Sequence, residues 1–550
     1  MKTGREKSKF NNFIVQGGIL AIAGVTARML GLFKRVPQAY IIGDYGNSYY
    51  AAAYEIYNII YTISVYGLPI SVSKLVSANV SKGQYRNADK IFKCSISLAA
   101  VTGLITSVLV FLFSDNLSRI LNEPMSFLAL RTLAPTLFVV SVMGVLRGYF
   151  QGLGSMVPTA VSQLLEQVVL VAVSLTAAFF MTKKGEKVGL ILHNDKYRAA
   201  YGASGITLGC LAGAVTGLVF LGFLYSAYRK RLKKQIYRDP SHSIDSTFEV
   251  FKTLLLTIIP IVISSFVNNI SNFLDQFLHN RIMIEKGLEE IKSVNWGIYS
   301  GKYSVLIGVP IAISAAMGAS SVPTISGLMK RKEYDEANNR IERVIRITMM
   351  IAIPCCAGMI ALAPSLMWTL FSVTQPTAYN LVRIGAAGVV LFSFSTLTNA
   401  ILQGMSRLIK PIIHGIASLC IHVVILVSLL KFTDMNIYAV ALSNNFFSLA
   451  ICIMNIYSIS KILKYRQEVR RTFALPVICA SIMGAAVFFL DKLLQRNGYS
   501  RIMTIVCILI GALIYFVGLI VSQAVGKEEI TAIPGGTRLY GVLKKIRLMN

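Results

Sequence analysis

The amino-acid sequence predicts an all-α polytopic membrane protein. Of its 550 residues, 55% are hydrophobic and only 14% are charged, whereas soluble domains carry about a quarter charged residues. Apolar stretches of about 20 residues, each long enough for an α-helix to cross a hydrocarbon core of about 30 Å, recur from end to end. These observations exclude a soluble enzyme, a disordered scaffold and a secreted disulfide framework.

The apolar stretches predict about 14 transmembrane helices. A basic segment, 229–250, separates the first six from the rest. The predicted spans, in chain order, are residues 12–35, 48–78, 90–113, 127–149, 158–181, 201–228, 251–277, 297–322, 341–363, 378–402, 412–431, 436–460, 473–493 and 501–525.

The distribution of basic residues predicts the orientation in the membrane. The chain has 54 Lys and Arg against 25 Asp and Glu, a net charge of +29. With the amino terminus in the cytoplasm, 32 of the 54 basic residues fall in predicted cytoplasmic segments and 13 on the opposite side. Cytoplasmic loops of membrane proteins carry this excess. We therefore expect both termini in the cytoplasm, and the charge requires no nucleic-acid partner.

Repeated motifs indicate two homologous six-helix lobes. The stretch GLPISVS at 67–73 resembles GVPIAIS at 308–314, and a Gln-Gly pair follows an arginine by twenty residues in each half, at 151–152 and 403–404. Internal repeats are typical of secondary transporters. The predicted organisation is an N-terminal lobe (1–228), a basic cytoplasmic linker (229–250), a C-terminal lobe (251–460), and two C-terminal helices with a basic cytoplasmic tail (461–550).

Cations inside the spans are the candidate substrate-binding groups. A charge within the bilayer is costly unless it faces water or a partner, and Arg28 has apolar turns on both sides in the first span. A cationic cavity favours an anion, and guanidinium binds phosphate through paired hydrogen bonds. The candidate cavity cations are Arg28, Lys34, Arg35, Lys74 and Lys302. Four others near span ends are expected to reach the membrane interface: Arg131, Arg147, Lys252 and Arg383.

Two acids and three helix-breaking residues complete the candidate set. Glu166 and Asp275 are candidates for ion coupling or for pairing with the cations. Gly31, Pro69 and Pro310 are candidate hinges, because bends in spanning helices are tolerated where they are packed or line a cavity.

The sequence contains no recognisable enzyme motif, and its eight cysteines and five histidines show no metal-ligand spacing. We therefore expect a transporter with no catalytic residues, cofactor or metal site. A coupling cation, Na⁺ or H⁺, or the membrane potential would drive it.

The stretch Arg28-Met-Leu-Gly31-Leu-Phe-Lys34 resembles the Arg-x-Leu-Gly-x-x-Arg motif of the MurJ family of lipid II flippases. The Gly-x-Pro-Ile stretch at 67–70 and Gln-x-x-Glu-Gln at 163–167 are closer to the YtgP and stage V sporulation protein B branch. Both belong to the multidrug/oligosaccharidyl-lipid/polysaccharide (MATE-like) exporter superfamily. The resemblance covers essentially the whole chain.

This resemblance implies a flippase for undecaprenyl-diphosphate-linked peptidoglycan precursor in the bacterial cytoplasmic membrane, with cavity arginines holding the diphosphate. It also implies lipids and the cell-wall synthesis machinery as partners, and roles in cell shape or sporulation. Four family positions differ. A family Asp before span 2 falls near Ser48. Lys34 replaces the second arginine of the motif, a span-2 arginine aligns near Tyr61, and Lys302 appears in place of a span-8 arginine.

Other functions stay open on the sequence alone. An exporter of another polyprenyl-linked glycan would need the same cationic cavity. A multidrug cation antiporter would need the opposite charge. A membrane glycosyltransferase or polymerase would need an acidic extracytoplasmic loop. Segment 279–296 has acids and bases at spacings typical of an exposed helical surface: Arg281, Glu285, Lys286, Glu289, Glu290 and Lys292.

Overall fold

The computed structural model describes residues 2–237, 239, 245–495, 498 and 500–524. Regular structure in these ranges is helical throughout, with no β-strand, so the all-α prediction is confirmed. Twelve helical segments of the described chain are long and apolar enough to cross a membrane. One of them, Thr26–Ser81, has 56 residues, which is enough for two crossings at about 1.5 Å per residue. A total of 14 spans stays a prediction.

The chain divides into two compact units, residues 1–301 and 302–550. The predicted lobes, residues 1–228 and 251–460, were defined by repeated sequence motifs and not by compactness. Their boundaries stay a prediction. The helices of the first unit are α1 (Lys2–Ser64), α2 (Gly67–Ser81), α3 (Tyr85–Leu112), α4 (Ser114–Ile120), α5 (Phe127–Gly152), α6 (Val157–Leu192), α7 (Lys196–Tyr237), α8 (Thr247–Glu285) and α9 (Glu289–Ile298).

A single glycine reverses the chain inside α1. Gly43 has a φ of 65° and a ψ of −171°, a combination that is open to glycine and strained for other residues. Gln38 Nε2 donates to Asn47 Oδ1 at 3.1 Å, although nine residues of straight helix would separate their backbones by about 13 Å. Lys34 Nζ also lies 5.5 Å from the centroid of the Tyr50 ring. The segment between the first two predicted spans is therefore helical on both sides of a one-residue turn.

The second unit contains eight helices within the described residues. A π-helical turn, Tyr299–Tyr303, precedes the first of them, and a second π-helical turn, Arg470–Ala474, precedes α16. The helices are α10 (Ser304–Arg331), α11 (Tyr334–Phe371), α12 (Pro376–Gly385), α13 (Ala387–Gly404), α14 (Ile409–Phe432), α15 (Ile437–Leu463), α16 (Leu475–Leu494) and α17 (Arg501–Val521).

Helix pairing follows the same order in the two units. In the first unit α2 packs on α3 and α5, and α7 packs on α5 and α6. In the second unit α10 packs on α11 and α13, and α15 packs on α13 and α14. The helix pairs α2/α5 and α10/α13 carry the repeated motifs. Small residues bring α2 and α5 together, since a Cβ placed on Gly148 would clash with the Pro69 carbonyl oxygen.

Candidate functional site

The hairpin of α1 holds two of the predicted cavity cations inside the first unit. Lys34 is only 6% exposed, and its ammonium faces the Tyr50 ring at 5.5 Å, within the range of a cation–π interaction. Arg35 is half-buried, and its Nη1 donates to the Ser300 carbonyl oxygen at 3.4 Å. Arg28 lies two helical turns before Arg35 on the same face of α1, and its side chain is exposed.

Four tyrosines form a row along the second half of α1. The ring centroids of Tyr50 and Tyr54 lie 5.7 Å apart, those of Tyr54 and Tyr57 6.0 Å apart, and those of Tyr57 and Tyr61 6.0 Å apart. Their spacing of three or four residues places them on one helical face. Tyr54 keeps 37% of its surface accessible. The row therefore borders accessible space beside Lys34.

Two acids lie beside this row, one of which the sequence analysis missed. Glu55 is within electrostatic range of both Asp275 and Arg35. Asp275, on α8, is 1% exposed. The Glu55 Oε2 atom is buried without a hydrogen-bond partner. A glutamate in a tyrosine-rich apolar span is the sequence signal that could have identified Glu55.

The predicted acid Glu166 is ion-paired. Arg147 Nη2 donates to Glu166 Oε2 at 2.7 Å, and Arg147 Nε donates to Ser162 Oγ at 3.0 Å. The two charged side chains are 14% and 23% exposed. Arg147, which we expected at the membrane interface, is instead paired inside the unit. Tyr61, at the end of the tyrosine row, is within electrostatic range of this pair.

The remaining candidate cations lie elsewhere. Lys74 is exposed on α2. Lys302 belongs to the second unit, where it lies in the π-helical turn and is 4% exposed. The convergence of Arg28, Lys34, Arg35 and Lys302 on one cavity stays a prediction.

The candidate hinges occupy different backbone positions. Gly31 lies in uninterrupted helix, and a Cβ placed there would lie 3.2 Å from Gln167 Nε2 of α6. Pro69 lies in the first turn of α2, directly after the break at 65–66. Pro310 lies inside α10. The positive φ of α1 falls at Gly43, a position the sequence analysis did not select.

A buried ion pair at the start of α9 was also missed. Glu123 accepts from the hydroxyls of Ser48 and Ser293 at 3.0 and 2.7 Å. Lys292 Nζ lies 3.6 Å from Glu123 Oε1 and donates to the Asn122 carbonyl oxygen at 2.8 Å. Burial raises the pKa of Glu123, and the Lys292 charge opposes that shift.

The interpretation of Lys292 as part of an exposed surface is therefore wrong, because α9 packs one face against α1. The three acids of the same segment, Glu285, Glu289 and Glu290, are exposed. Among the described residues, no group of three or more His, Cys, Asp or Glu side chains could hold a metal ion.

Comparison with solved structures supports the fold. An inward closed structure of lipid II flippase MurJ matches with a TM-score of 0.65 and 14% identity, covering 91% of this chain and 97% of that chain. An inward-facing multidrug resistance MATE family transporter of the MOP superfamily matches with a TM-score of 0.63 and 17% identity, covering 81% and 99%. The chain therefore has the fold of these two membrane proteins.

Sequence comparison gives relatives of similar length. Stage V sporulation protein B of Bacillus subtilis (strain 168) is 25% identical over 522 residues, 94% of this chain and 96% of the relative. Lipid II flippase MurJ of the same organism is 27% identical over 487 residues, 85% of this chain and 86% of the relative. The family model described as polysaccharide biosynthesis protein matches residues 14–329, more than half of the chain. This protein belongs to the polysaccharide biosynthesis protein family of multi-pass membrane proteins.

Proposed function

We propose that this protein is a flippase that moves lipid II, the undecaprenyl-diphosphate-linked peptidoglycan precursor, across the bacterial cytoplasmic membrane by alternating access. The observation that carries the proposal is the pair of adjacent cations, Lys34 and Arg35, held on a helical hairpin inside a membrane protein of this family. The diphosphate is the charged group of such a substrate. Because a charge is costly in the hydrocarbon core of the membrane, the protein must supply cations that bind it.

The acids beside these cations serve as internal counter-charges while no substrate is bound. Glu55 lies within electrostatic range of Arg35 and of Asp275, so the guanidinium has an anionic neighbour before substrate binds. A diphosphate entering the site takes their place and forms charge-assisted hydrogen bonds with Arg35 and Lys34. Arg28, two turns away, extends the cationic surface along α1 and contributes the planar donor set that suits phosphate oxygens.

The tyrosine row provides the surface for the uncharged part of the substrate. Tyrosine presents an apolar ring and a hydroxyl that can donate or accept a hydrogen bond. Tyr54 and Tyr61 keep accessible surface along the row. A saccharide also combines apolar C–H faces with hydroxyl groups, so a saccharide headgroup can follow the row while its diphosphate is held at Lys34 and Arg35.

The membrane potential favours outward movement of this substrate. Moving one charge across 100 mV changes the free energy by about 2.3 kcal/mol. A diphosphate carries negative charge from a negative interior to the outside, so the potential alone supplies several kcal/mol. A coupling cation, Na⁺ or H⁺, is the alternative source of energy.

A second substrate of the same class is favoured by one comparison. The family model is described as polysaccharide biosynthesis protein, so another polyprenyl-linked saccharide unit is the main alternative to lipid II. A multidrug cation exporter is less consistent with the buried cations of α1.

Depletion of the protein in cells tests the proposal. We expect the total amount of lipid II to rise, measured by extraction and mass spectrometry of lipid-linked precursors. A wild-type copy and the control Lys93→Ala, which removes a lysine whose side chain is 72% exposed, should both restore normal levels. Lys34→Ala should not. Accumulation of a different polyprenyl-linked saccharide would select the alternative substrate, and no accumulation of any such precursor would contradict the proposal.

A further inference from the structure

The second unit contains a cavity with charged side chains in its lining that the proposed transport reaction does not use. It has a volume of about 220 Å³ and lies where the end of α11, α12 and the end of α16 meet. Its lining includes Arg383, Asp491, Lys492 and Gln495. One water takes up about 30 Å³ of liquid volume. The cavity therefore has room for a phosphate group with its attached carbon atoms.

The cavity contains one carboxylate whose oxygens are both occupied. Asp491 Oδ2 accepts from Ser365 Oγ at 2.6 Å, and Asp491 Oδ1 accepts from Gln495 Nε2 at 3.4 Å. Asp491 is 9% exposed, and Ser365 is fully buried. Asp491 thus belongs to a local hydrogen-bond network that joins α11 to α16.

The two cations of the cavity have no such partners. Arg383 is half-buried, and its guanidinium carbon lies 5.4 Å from the Tyr379 ring centroid. Lys492 is exposed. Neither Arg383 nor Lys492 forms a hydrogen bond or an ion pair with any residue that the structure describes. A guanidinium has five N–H donors and an ammonium three. The cavity therefore has excess positive charge and unused donors, which are the requirements for binding an anion.

The surroundings indicate that the anion belongs to a lipid. Phe489 and Leu493 flank Lys492 on α16 and are 69% and 68% exposed, on a helix long and apolar enough to span a membrane. The charge distribution predicts that this end of α16 is extracytoplasmic. A lipid whose phosphate entered the cavity would therefore lay its chains on the apolar surface of α16.

We propose that the cavity lined by Arg383 and Lys492 binds the phosphate group of an anionic lipid in the outer leaflet. The ligand chemistry is a phosphate ester on a hydrophobic chain. A glycerophospholipid and a polyprenyl monophosphate both have it. This site consists of residues of the second unit alone, and it does not rest on the proposed transport function.

Lipid titration of the purified full chain in a neutral detergent tests the proposal, with the apparent melting temperature as the readout. The probes are dioleoyl phosphatidylglycerol, a polyprenyl monophosphate, and dioleoylglycerol, which has the same chains as the first probe but no phosphate. We expect at least one of the two phosphate lipids to raise the melting temperature of the wild type. Dioleoylglycerol should raise it less.

The variants separate the site from general lipid binding. In Arg383→Ala/Lys492→Ala, the half-saturating concentration of the active lipid should rise at least about tenfold, since each charged hydrogen bond lost costs about one decade of affinity. The single variant Arg383→Gln should show a smaller rise. The control Lys431→Ala, which removes an exposed lysine at the end of α14, should titrate like the wild type.

The two phosphate lipids also show which kind of lipid supplies the phosphate group. A response to phosphatidylglycerol alone assigns the site to phospholipid, and a response to the polyprenyl monophosphate alone assigns it to a polyprenyl carrier. The proposal is overturned if the wild type responds to neither, if dioleoylglycerol acts as strongly, or if the double variant and Arg383→Gln both titrate like the wild type.

Discussion

Replacement of Lys292 by methionine should destabilise the first unit strongly. Lys292 and Glu123 are only 6% and 2% exposed as side chains, and their charged atoms lie 3.6 Å apart. Removing one partner of a buried pair leaves an uncompensated charge and costs about 3–5 kcal/mol. The exposed pair Arg281–Glu285, with side chains 62% and 49% exposed, provides the matched control. Arg281→Met should cost less than about 1 kcal/mol.

The assay is denaturant unfolding in detergent, followed by tryptophan fluorescence. Trp296 is one helical turn from Lys292 and 3% exposed, so its emission reports unfolding of this region. Removing Glu123 as well, in Glu123→Gln/Lys292→Met, should restore most of the lost free energy because no unpaired charge remains. If Lys292→Met changes the free energy of unfolding by no more than Arg281→Met does, the buried pair is not a stabilising contact.

The pH dependence of the same variant has a definite sign. Burial raises the pKa of Glu123, and Lys292 opposes the rise. A carboxyl whose pKa is raised on folding favours the folded state at low pH, and this contribution is lost as the pH rises through the folded-state pKa. Without Lys292 the charged carboxylate is costlier still. The deficit of Lys292→Met should therefore shrink as the pH is lowered, and a deficit that grows on acidification would contradict the assignment.

Three further predictions concern the turn at Gly43, the topology of the chain and the acid near Arg35. Gly43→Ala should lower the free energy of unfolding by about 1–3 kcal/mol, because the backbone conformation at Gly43 is strained for alanine. No atom lies within 4 Å of the added Cβ, so a steric clash does not contribute. An unchanged free energy of unfolding would mean that the hairpin turn relaxes without cost. Reporters fused near Gln235 and at the C-terminus should both report cytoplasm, and one near Leu288 should report the outside, whereas an external C-terminus would require an odd number of spans. Glu55→Gln removes a negative charge near Arg35 and should tighten inorganic pyrophosphate binding about fivefold by calorimetry, and weaker binding would show that Glu55 is not a counter-charge.

The sequence predicts the helices well because a spanning helix has a direct compositional signal. The predicted spans at 90–113 and 501–525 correspond to helices Tyr85–Leu112 and Arg501–Val521. The reversal at Gly43 was not predicted, because one residue with positive φ leaves almost no local pattern. The predicted spans 12–35 and 48–78 leave only a connecting segment there.

The contacts of the candidate site could not be predicted from the sequence where they join residues that are distant in the chain. Arg147 and Glu166 lie on separate helices, α5 and α6, so their 2.7 Å contact depends on how those helices pack. Lys292 was interpreted as exposed because helical spacing does not say which neighbour covers a face. Arg28, Lys34 and Arg35 of span 1 were selected because a charge deep in an apolar stretch requires a special environment, and their role in substrate binding stays a prediction.

The most direct test of the central claim is the rate at which fluorescent lipid II crosses the bilayer of proteoliposomes that contain the purified protein. The account predicts that the wild type accelerates crossing over empty liposomes. Arg28→Ala should insert and fold normally but lose about 10-fold to 100-fold in rate, as expected for lost charge-assisted hydrogen bonds to phosphate. Arg28→Lys should keep part of the activity, because it keeps the charge without the planar donor set. Wild-type rates in Arg28→Ala, or no acceleration by the wild type, would contradict a diphosphate site on the first helix.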